Sequence, residues 1–369
     1  MHHPLSSLPS ALLFALAASA GSAAAATVCN GYSEYCSMLY SNVTVVGAHN
    51  SYTSSNTNLA ANQDYGVTQQ LTDGVRLLQN QVHNQNGVLE LCHTSCLLYD
   101  GGSLSSYLTK VKAFLDANPN EVVTLLLVNS DDQPASSFAS AYQAAGIDTY
   151  AWSPTAATVA TNAWPTVGSL IDSGKRLVSF MDNSADFTTV PYILDEFSNM
   201  WETHYDITDA SGFNCTVDRH SGDTTDQMYL INHYLYTQST LFGGNTPVPN
   251  KAALPVTNAV SGVGSLGEEA GTTCLTLHPR APTFLLVDFY DWGSGSVFQV
   301  AASLNGVQYV AKSIAAQNGT DASSSSSGSG STSTSTKNGA DQAVMVGRSL
   351  VWTAVVVGAC AVFGSFVAI

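Results

Sequence analysis

The sequence predicts an α/β fold, a closed parallel barrel of repeated strand and helix units in a single domain. Short β-rich runs alternate with helix-like stretches from residue 27 to about residue 316. The run Val122–Val128 is apolar without alternation, as expected of a parallel strand buried on both faces. A domain of about 290 residues suits such a barrel. An open doubly wound sheet is the alternative, but no G-x-G-x-x-G follows a predicted strand.

The predicted elements follow from local composition and periodicity. The clearest helix is Ser103–Ala117, whose apolar residues recur at a spacing near 3.6; Ser103 can cap its start and Asn118-Pro119 ends it. The predicted strands are β-rich runs of 4 to 8 residues, namely Val43–Ala48, Arg76–Val82, Val88–Leu91, Glu121–Val128, Arg176–Met181, Asn199–Glu202, Met228–Ile231 and Thr283–Phe289.

The two ends of the chain are predicted to lie outside this domain. Residues 11–20 form a short apolar run followed by small residues, which is typical of a secretory signal peptide, so we assign residues 1–26 to it. Residues 320–336 contain 13 Ser or Thr among 17, which predicts a disordered stalk over residues 317–338.

The C-terminal residues 339–369 are predicted to be the propeptide of a glycosylphosphatidylinositol (GPI) anchor. Small residues at 338–340 precede a short spacer and an uncharged tail of 20 residues, Leu350–Ile369. A single membrane-spanning helix is the alternative, but it would leave no Lys or Arg beyond it to hold its orientation. We therefore expect a secreted protein that a lipid anchor attaches to the plasma membrane or cell wall.

Composition agrees with export and excludes one class of partner. The net charge is −16 and only 10% of residues are charged, so the basic stripe that nucleic acids require is missing. Asn42, Asn214 and Asn318 begin glycosylation sequons. We expect a monomer.

Six of the seven cysteines precede the hydrophobic tail, and an even number in an oxidising compartment suggests disulfides. Spacing favours the local pairs Cys29–Cys36 and Cys92–Cys96, which leaves Cys215 with Cys274. Six cysteines allow 15 connectivities, so this pairing is one among several. A zinc site at Cys92 and Cys96 is the rival interpretation, but it lacks a second nearby ligand pair.

Two histidines follow predicted strands directly. His49 comes after Val43–Ala48, and His93 comes after Val88–Leu91 inside the Cys92–Cys96 loop. The carboxyl ends of barrel strands form the active-site face, where two histidines supply a general base and a general acid. We therefore take His49 and His93 as candidate catalytic residues, although a single histidine is more often structural.

These motifs resemble a known family. Gly47-Ala48-His49-Asn50-Ser51-Tyr52, Asp73-Gly74-Val75-Arg76-Leu77-Leu78 and Leu91-Cys92-His93 are similar to the phosphatidylinositol-specific phospholipase C X-domain superfamily, closest to the secreted fungal branch of PLC-like phosphodiesterases. The likeness covers most of residues 40–130 and recurs at Phe284–Gly293, which resembles the last barrel strand.

The resemblance implies a TIM-like barrel that cleaves a phosphodiester, with His49 as the base and His93 as the acid. In the calcium-dependent branch, two carboxylates after the Gly-x-Arg strand and an Asn after the first histidine hold the metal. Here Asn50 is present, but the carboxylate positions read Gln79 and Gln81. The metal-free branch has an arginine on the same strand, at a position that is also Gln81.

We therefore expect no metal and no cofactor. Neutral donors on Gln79 and Gln81 would have to stabilise the phosphate, since both residues point to one face of their strand. Asn50, Arg76 and Asp288 are further candidates for substrate binding, and Asp288 could also orient His49. The other polar residues predicted at strand ends could line the pocket or be ordinary loop residues and helix caps: Asp182, Asn183, Glu202, His204, Asn232 and His233.

The leading expectation is a phosphoric diester hydrolase acting on a phospholipid or a glycerophosphodiester-like substrate. The alternative is a catalytically inactive barrel that serves as a binding protein at the cell surface or cell wall, a possibility raised by Gln79 and Gln81. A metal-dependent sphingomyelinase D type is a weaker option, because no Glu and Asp cluster is found near the first histidine.

Overall fold

The computed structural model describes residues 25–240 and 246–314. The predicted leader up to residue 24, the stalk, the anchor propeptide, Asn318 and Cys360 lie outside these ranges. Within them, no helix combines the length and apolar character that crossing a membrane requires.

Twelve strands and nine α-helices make up the described chain, together with short 3₁₀ turns and a π-helical stretch at Glu269–Thr273. The strands are β1 Val45–Ala48, β2 Leu77–Gln85, β3 Val88–Cys92, β4 Asp100–Ser103, β5 Val123–Asn129, β6 Leu177–Met181, β7 Leu194–Asp195, β8 Met200–Glu202, β9 Met228–His233, β10 Tyr236–Ser239, β11 Thr246–Pro249 and β12 Phe284–Val287. The helices are α1 Val67–Asp73, α2 Leu104–Ala117, α3 Ala135–Ala145, α4 Val167–Asp172, α5 Glu196–Asn199, α6 Leu254–Thr257, α7 Leu266–Glu268, α8 Cys274–Leu277 and α9 Ser296–Leu304.

Eight parallel strands form a curled sheet in the order β7-β6-β5-β2-β1-β12-β9-β8. This order is the chain order closed on itself, because β12 pairs with β1, and it confirms the predicted parallel barrel. Among the described residues, no ladder joins β7 to β8, so the ring of hydrogen bonds is open there. A later segment covers the free edge of β8, with the Glu202 N–H donating to the Arg219 carbonyl at 3.0 Å.

All eight predicted strand runs contain a strand, but one was given the wrong role. Val88–Cys92 is not a barrel strand: it pairs antiparallel with β2 through the turn Asn86-Gly87, whose φ angles are 55° and 88°. Asn-Gly with both φ values positive is the two-residue hairpin turn, so the sequence did carry this signal. The barrel strand that prediction missed is β7, whose two residues are too few for a pattern.

Helix α2 has the predicted face and cap. The Ser103 hydroxyl accepts a hydrogen bond from the Ser106 N–H at 3.3 Å. The six residues of the apolar face are buried: Leu104, Tyr107, Leu108, Val111, Phe114 and Leu115. Burying side chains of this size stabilises the fold by roughly 1.5–3 kcal/mol each. The helix therefore belongs to the outer layer and packs beside β3 and β4.

The barrel interior is layered along the strands. Inward-facing apolar residues form one buried cluster that includes Leu77, Phe180, Met200, Leu230 and Leu286. Side chains two residues further along a strand point to the same face. That next layer, toward the carboxyl ends, is polar: Gln79, Asp182, Glu202, Asn232 and Asp288.

Gly47 lets β1 approach its neighbours closely. A Cβ at this position would lie 2.8 Å from Leu77 Cδ2 and 3.1 Å from Leu286 Cδ1. A side chain here would push β1 away from β2 and β12, and it would displace the segment that follows β1.

Candidate active site

His49 lies at the carboxyl end of β1, beside the residue that follows β12. The register pairs Ala48 with Val287, which brings His49 and Asp288 together. The Nδ1 atom of His49 lies 2.8 Å from Asp288 Oδ1, and both residues are buried. A carboxylate at Nδ1 favours the tautomer with a proton on that nitrogen, which leaves Nε2 as the basic atom.

Two further contacts hold this pair. The ring of Tyr234 stacks on His49 with centroids 3.9 Å apart and planes within 5°. Asn62 donates through Nδ2 to Asp288 Oδ1 at 2.9 Å. Stacking on Tyr234 therefore fixes the plane of the imidazole ring, and the held Asp288 carboxylate fixes the direction of its Nδ1.

His93 reaches the site from the side hairpin. It follows β3 in the loop closed by the Cys92–Cys96 disulfide, and its Nδ1 lies 2.7 Å from the Ala60 carbonyl oxygen. The expectation that His93 follows an adjacent barrel strand was wrong, because β3 is antiparallel to β2. The hairpin folds the loop back over the mouth instead.

Burial and nearby charges set the acidity of His93. Burial lowers the pKa of His93, and the charge of His49 lowers this pKa further, while the Ala60 carbonyl and Asp288 act in the opposite direction. Within the described chain, His93 Nε2 has no hydrogen-bond partner, and this nitrogen is accessible to solvent. This nitrogen is available to a ligand.

Side chains from β2 complete this half of the mouth. Gln79 accepts the Asn50 N–H through Oε1 at 2.6 Å, and Gln81 accepts the Thr94 N–H through Oε1 at 2.9 Å. Asn50 Nδ2 lies 3.2 Å from His49 Nε2. The structure thus gathers His49, His93, Asn50, Gln79, Gln81 and Asp288 around one mouth.

Arg76 does not belong to this group. It precedes β2, at the opposite end of the barrel, where its guanidinium pairs with Glu121 at 2.7 Å. Its Nη1 also donates to the carbonyls of Leu71 and Val75, each at 2.7 Å. Every nitrogen of the group is occupied and far from the carboxyl ends, so the expected role of Arg76 in substrate binding is wrong and its role is structural.

The other half of the mouth carries ionisable residues that prediction only partly identified. Glu202 is buried at the end of β8 and forms an ion pair with Arg219, while Asn232 Nδ2 lies 3.3 Å from Glu202 Oε2. Burial raises the pKa of Glu196 well above its usual range, and the neighbouring Glu202 adds to this. Burial also raises the pKa of Asp182.

Sequence reasoning missed Arg219, Glu196, Asn62 and Tyr234. Arg219 lies in the long segment between β8 and β9, where no periodicity indicates which side chains turn inward. Glu196 opens the single-turn helix α5 beside the undetected strand β7. Tyr234 is the one with a usable signal, because it lies two residues beyond the inward-facing Asn232.

The remaining predicted strand-end residues lie elsewhere. His204 is exposed and pairs with Asp218 at 3.1 Å. His233 points into the outer layer, with Nδ1 2.5 Å from Glu269 Oε2 and Nε2 2.8 Å from the Thr257 carbonyl oxygen. Asn183 pairs with Asn129. None of the three lies on the inner face.

The three predicted disulfides are confirmed: Cys29–Cys36, Cys92–Cys96 and Cys215–Cys274. Among the residues that the structure describes, no three His, Cys, Asp or Glu side chains converge in a geometry that could hold a metal ion.

Comparisons with known proteins can now be added to this geometry. An uncharacterized secreted protein of Arthroderma benhamiae is 45% identical over 290 residues, which is 77% of this chain but only 65% of that protein, less than two thirds of its length. PI-PLC X domain-containing protein 1 of the same fungus is 44% identical over 283 residues, covering 76% of this chain and 90% of that one. A PI-PLC X domain-containing protein of Arabidopsis thaliana is 28% identical over 275 residues, 70% of this chain and 60% of that protein.

Two bacterial enzymes of known structure have a similar chain path. The phosphatidylinositol-specific phospholipase C of Listeria monocytogenes aligns with a TM-score of 0.46 and 17% identity over 73% of this chain and 96% of that one. A mutant of the Staphylococcus aureus enzyme aligns with a TM-score of 0.48 and 16% identity over 74% and 94%.

The family model of the PI-PLC X domain (PI-PLC X 1) matches residues 35–305, which include every strand of the barrel and both histidines of the site. Together with the similarity to PI-PLC X domain-containing protein 1, this match shows that the chain belongs to the PI-PLC X domain family.

Proposed function

We propose that this protein is a phosphoric diester hydrolase acting on a phospholipid or a glycerophosphodiester-like substrate. The observation that carries the proposal is the His49–Asp288 pair, 2.8 Å apart, on the mouth where glutamines of β2 accept hydrogen bonds from the turns that follow both His49 and His93. General acid-base catalysis needs a buried histidine with a carboxylate on one nitrogen and a second histidine with one nitrogen open to the substrate, here His93 Nε2.

The proposed reaction uses one proton acceptor and one donor. His49 Nε2 removes the proton from the attacking hydroxyl, whose oxygen forms a new bond to phosphorus. The bond from phosphorus to the leaving oxygen breaks, and protonated His93 gives its proton to that alkoxide. Asp288 stabilises the imidazolium that forms on His49. The attacking hydroxyl belongs either to water or to the headgroup itself.

The half of the mouth that contains Glu202, Arg219 and Asn232 supports a hydroxyl-rich headgroup. The carboxylate of Glu202 accepts hydrogen bonds, while Arg219 and Asn232 donate them, so together they offer both functions that a polyol presents. Arg219 Nε is buried without a partner in the described ranges, and so is Glu196 Oε1. Unpaired buried polar atoms are costly, and a bound ligand would satisfy them.

We further propose that catalysis needs no metal and that the protein works outside the cell, held at the surface by its predicted anchor. Three disulfides and a relative named as a secreted protein support export. The substrate would then be a lipid or diester exposed at the plasma membrane or cell wall, handled by a monomer.

A second candidate is an inactive barrel that binds without turnover. Two observations favour it: glutamines stand where related enzymes would need charge, and the Asn50 amide lies 3.2 Å from the nitrogen that must accept a proton. In this case the same mouth would bind a headgroup or glycan and release it unchanged.

The experiment is hydrolysis of phosphatidylinositol, GPI and glycerophosphodiesters by the secreted, glycosylated protein, with and without a strong chelator. The proposal expects turnover of at least one substrate, undiminished by the chelator and lost in His49→Ala. Saturable binding without turnover, with wild type and His49→Ala indistinguishable, establishes the inactive barrel instead. Turnover abolished by chelation and restored by Ca²⁺ contradicts metal independence.

A further inference from the structure

The residue after each histidine of the site has the same unusual backbone conformation. Asn50 has a φ of 43° and Thr94 a φ of 59°, both in the left-handed region. Asn tolerates this region, but for the β-branched Thr it is a genuine outlier. Such conformations cost on the order of 1–3 kcal/mol and persist only where the surroundings enforce them.

The enforcing contact is the same at both turns. Gln79 Oε1 accepts the Asn50 N–H at 2.6 Å, and Gln81 Oε1 accepts the Thr94 N–H at 2.9 Å. The two glutamines are two residues apart on β2 and therefore point to one face, the barrel interior that Leu77 also faces. One strand thus braces both histidine turns from a common side.

The other corner of each amide is open. In the part of the chain described, neither Gln79 Nε2 nor Gln81 Nε2 has a hydrogen-bond partner. Both nitrogens are accessible to solvent. A planar amide whose oxygen is held has its nitrogen position fixed as well. Both N–H₂ groups are therefore presented to the mouth in a set orientation.

We propose that Gln79 and Gln81 each perform two tasks: the carbonyl holds a histidine turn, and the N–H₂ group donates to the phosphate between the histidines. This inference rests on the proposed function and deepens it, because it assigns the groups that stabilise the charge of the phosphate. The two N–H₂ groups carry four N–H bonds. Those that point at the phosphate oxygens would donate hydrogen bonds to them.

Side-chain chemistry explains why glutamine occupies both positions. Glutamate could accept the turn N–H but would offer no donor and would repel the phosphate. Arginine or lysine could donate but could not accept the turn N–H. Only an amide of this length does both, so the two neutral residues are not simply the remains of a lost metal site.

The test separates the two tasks by substitution. Gln81→Glu keeps the acceptor and removes the donor, whereas Gln81→Met removes both. Thr94→Gly removes the cost of the left-handed turn. Gln143→Glu, on the exposed face of α3, is the control for the added charge.

We expect Gln81→Glu to retain the thermal midpoint of the wild type but to lower kcat about 100-fold, the size typical of one lost oxyanion donor. The alkaline limb of its pH profile should move upward, because a carboxylate near His93 favours the imidazolium. Thr94→Gly should recover part of the loss in Gln81→Met and none of the loss in Gln81→Glu. Gln143→Glu should match the wild type.

Titration with inorganic phosphate, followed by the ¹H–¹⁵N signals of the side-chain amides, gives a readout that does not depend on turnover. The signals of Gln79 and Gln81 should shift, and that of Gln143 should not. If these signals shift but no diester is cleaved, the proposed function fails while the donor assignment stands. If diesters are cleaved but the signals stay in place, or if Gln81→Glu has full activity, the inference is overturned.

Discussion

The two halves of the barrel mouth handle charge in different ways. The half built by β12, β1 and β2 contains two histidines, one carboxylate, Asp288, and the neutral amides of Asn50, Gln79 and Gln81. The half built by β6, β7 and β8, which we call the ionisable half, contains the carboxyl groups of Asp182, Glu196 and Glu202 together with Arg219. We infer that proton transfer belongs to the first half and recognition of the headgroup to the second.

The difference follows from how each half is held. In the histidine half, adjacent parallel strands in register place Asp288 beside His49. In the ionisable half, no ladder joins β7 to β8 among the described residues, and the contact between Glu202 and Arg219 links a crossing segment to the edge of β8. Catalytic geometry needs the rigid half, whereas a binding surface tolerates the open one.

The largest expected effect comes from breaking the histidine half at its carboxylate. Asp288→Asn should lower kcat by roughly 10³ to 10⁴-fold, because an amide no longer fixes the productive tautomer or stabilises the imidazolium. The change is measured as steady-state kcat and KM on the substrate that the wild type hydrolyses best.

A matched substitution in the ionisable half tests the contrast between the two halves. Asp182→Asn makes the same chemical change at the end of β6. It should leave kcat within a few-fold of the wild type. Comparable losses of kcat at both positions would show that the two halves are not functionally distinct.

The second effect concerns KM. Arg219→Met removes a donor that touches Glu202 and should raise KM about 10 to 100-fold for a hydroxyl-rich headgroup, with kcat nearly unchanged, as expected for an interaction made equally in the ground and transition states. Glu202→Gln in the same background should cost little more, because the pair acts as a unit. A fall in kcat at constant KM would place Arg219 on the phosphate instead.

A third prediction uses pH. Burial lowers the pKa of His93 below its ordinary value of 6.5, and the proposed acid must be protonated. The value of kcat/KM should therefore fall as pH rises through that lowered pKa, so that the free enzyme is most active under acidic conditions. A profile of kcat/KM from pH 4 to pH 9 checks this, and an alkaline limb above 6.5 contradicts it.

The last prediction concerns stability and lies outside both halves. Burial, followed by the nearby charge of Asp64, raises the pKa of Asp291 from 3.8 to about 7, and both of its carboxyl oxygens lack partners among the described residues. The folded state thus binds the proton more tightly than the unfolded state. The protonated Asp291 carboxyl therefore contributes its full stabilisation below pH 3.8. This contribution to the free energy of unfolding, on the order of 4 kcal/mol, is lost as pH rises through 7.

Asp291→Asn should therefore raise the thermal midpoint at pH 8 and leave it unchanged near pH 4, with kcat unaffected at either pH. Asp226→Asn, in an exposed turn, is the control and should change the midpoint at neither pH. A midpoint that rises equally at pH 4 and pH 8 would show that Asp291 is ionised throughout.

Sequence reasoning named the two histidines, Asp288 and the amides of the histidine half, but it missed Asn62 and Tyr234, which hold the His49–Asp288 pair. The residues it named follow strands with strong β signals, and alternation along β2 places Gln79 and Gln81 on the inner face. Arg76 was misplaced because a family motif gives the strand but not the end of the barrel at which a side chain lies. Its neighbours Leu71, Val75 and Glu121 fix it at the amino end.

Sequence reasoning predicted only part of the ionisable half. Glu202 and Asp182 ended recognisable strands, but Arg219 comes from a long irregular segment and Glu196 from a single helical turn. No local pattern predicts that residues 17 positions apart, Glu202 and Arg219, form an ion pair. Only the tertiary fold brings such residues together, as it also brings His93 over the mouth from an antiparallel hairpin.

The division of labour between the histidines is the central claim, and the acidity of the leaving group tests it most directly. We would compare His49→Ala and His93→Ala on one phosphodiester with an alkyl leaving group and on its analogue with a p-nitrophenyl leaving group, which departs without a proton. If His93 is the acid, His93→Ala should lose about 10² to 10⁴-fold on the alkyl ester and keep near wild-type activity on the aryl ester. His49→Ala should lose activity on both. Equal losses on both esters in His93→Ala would contradict the assignment.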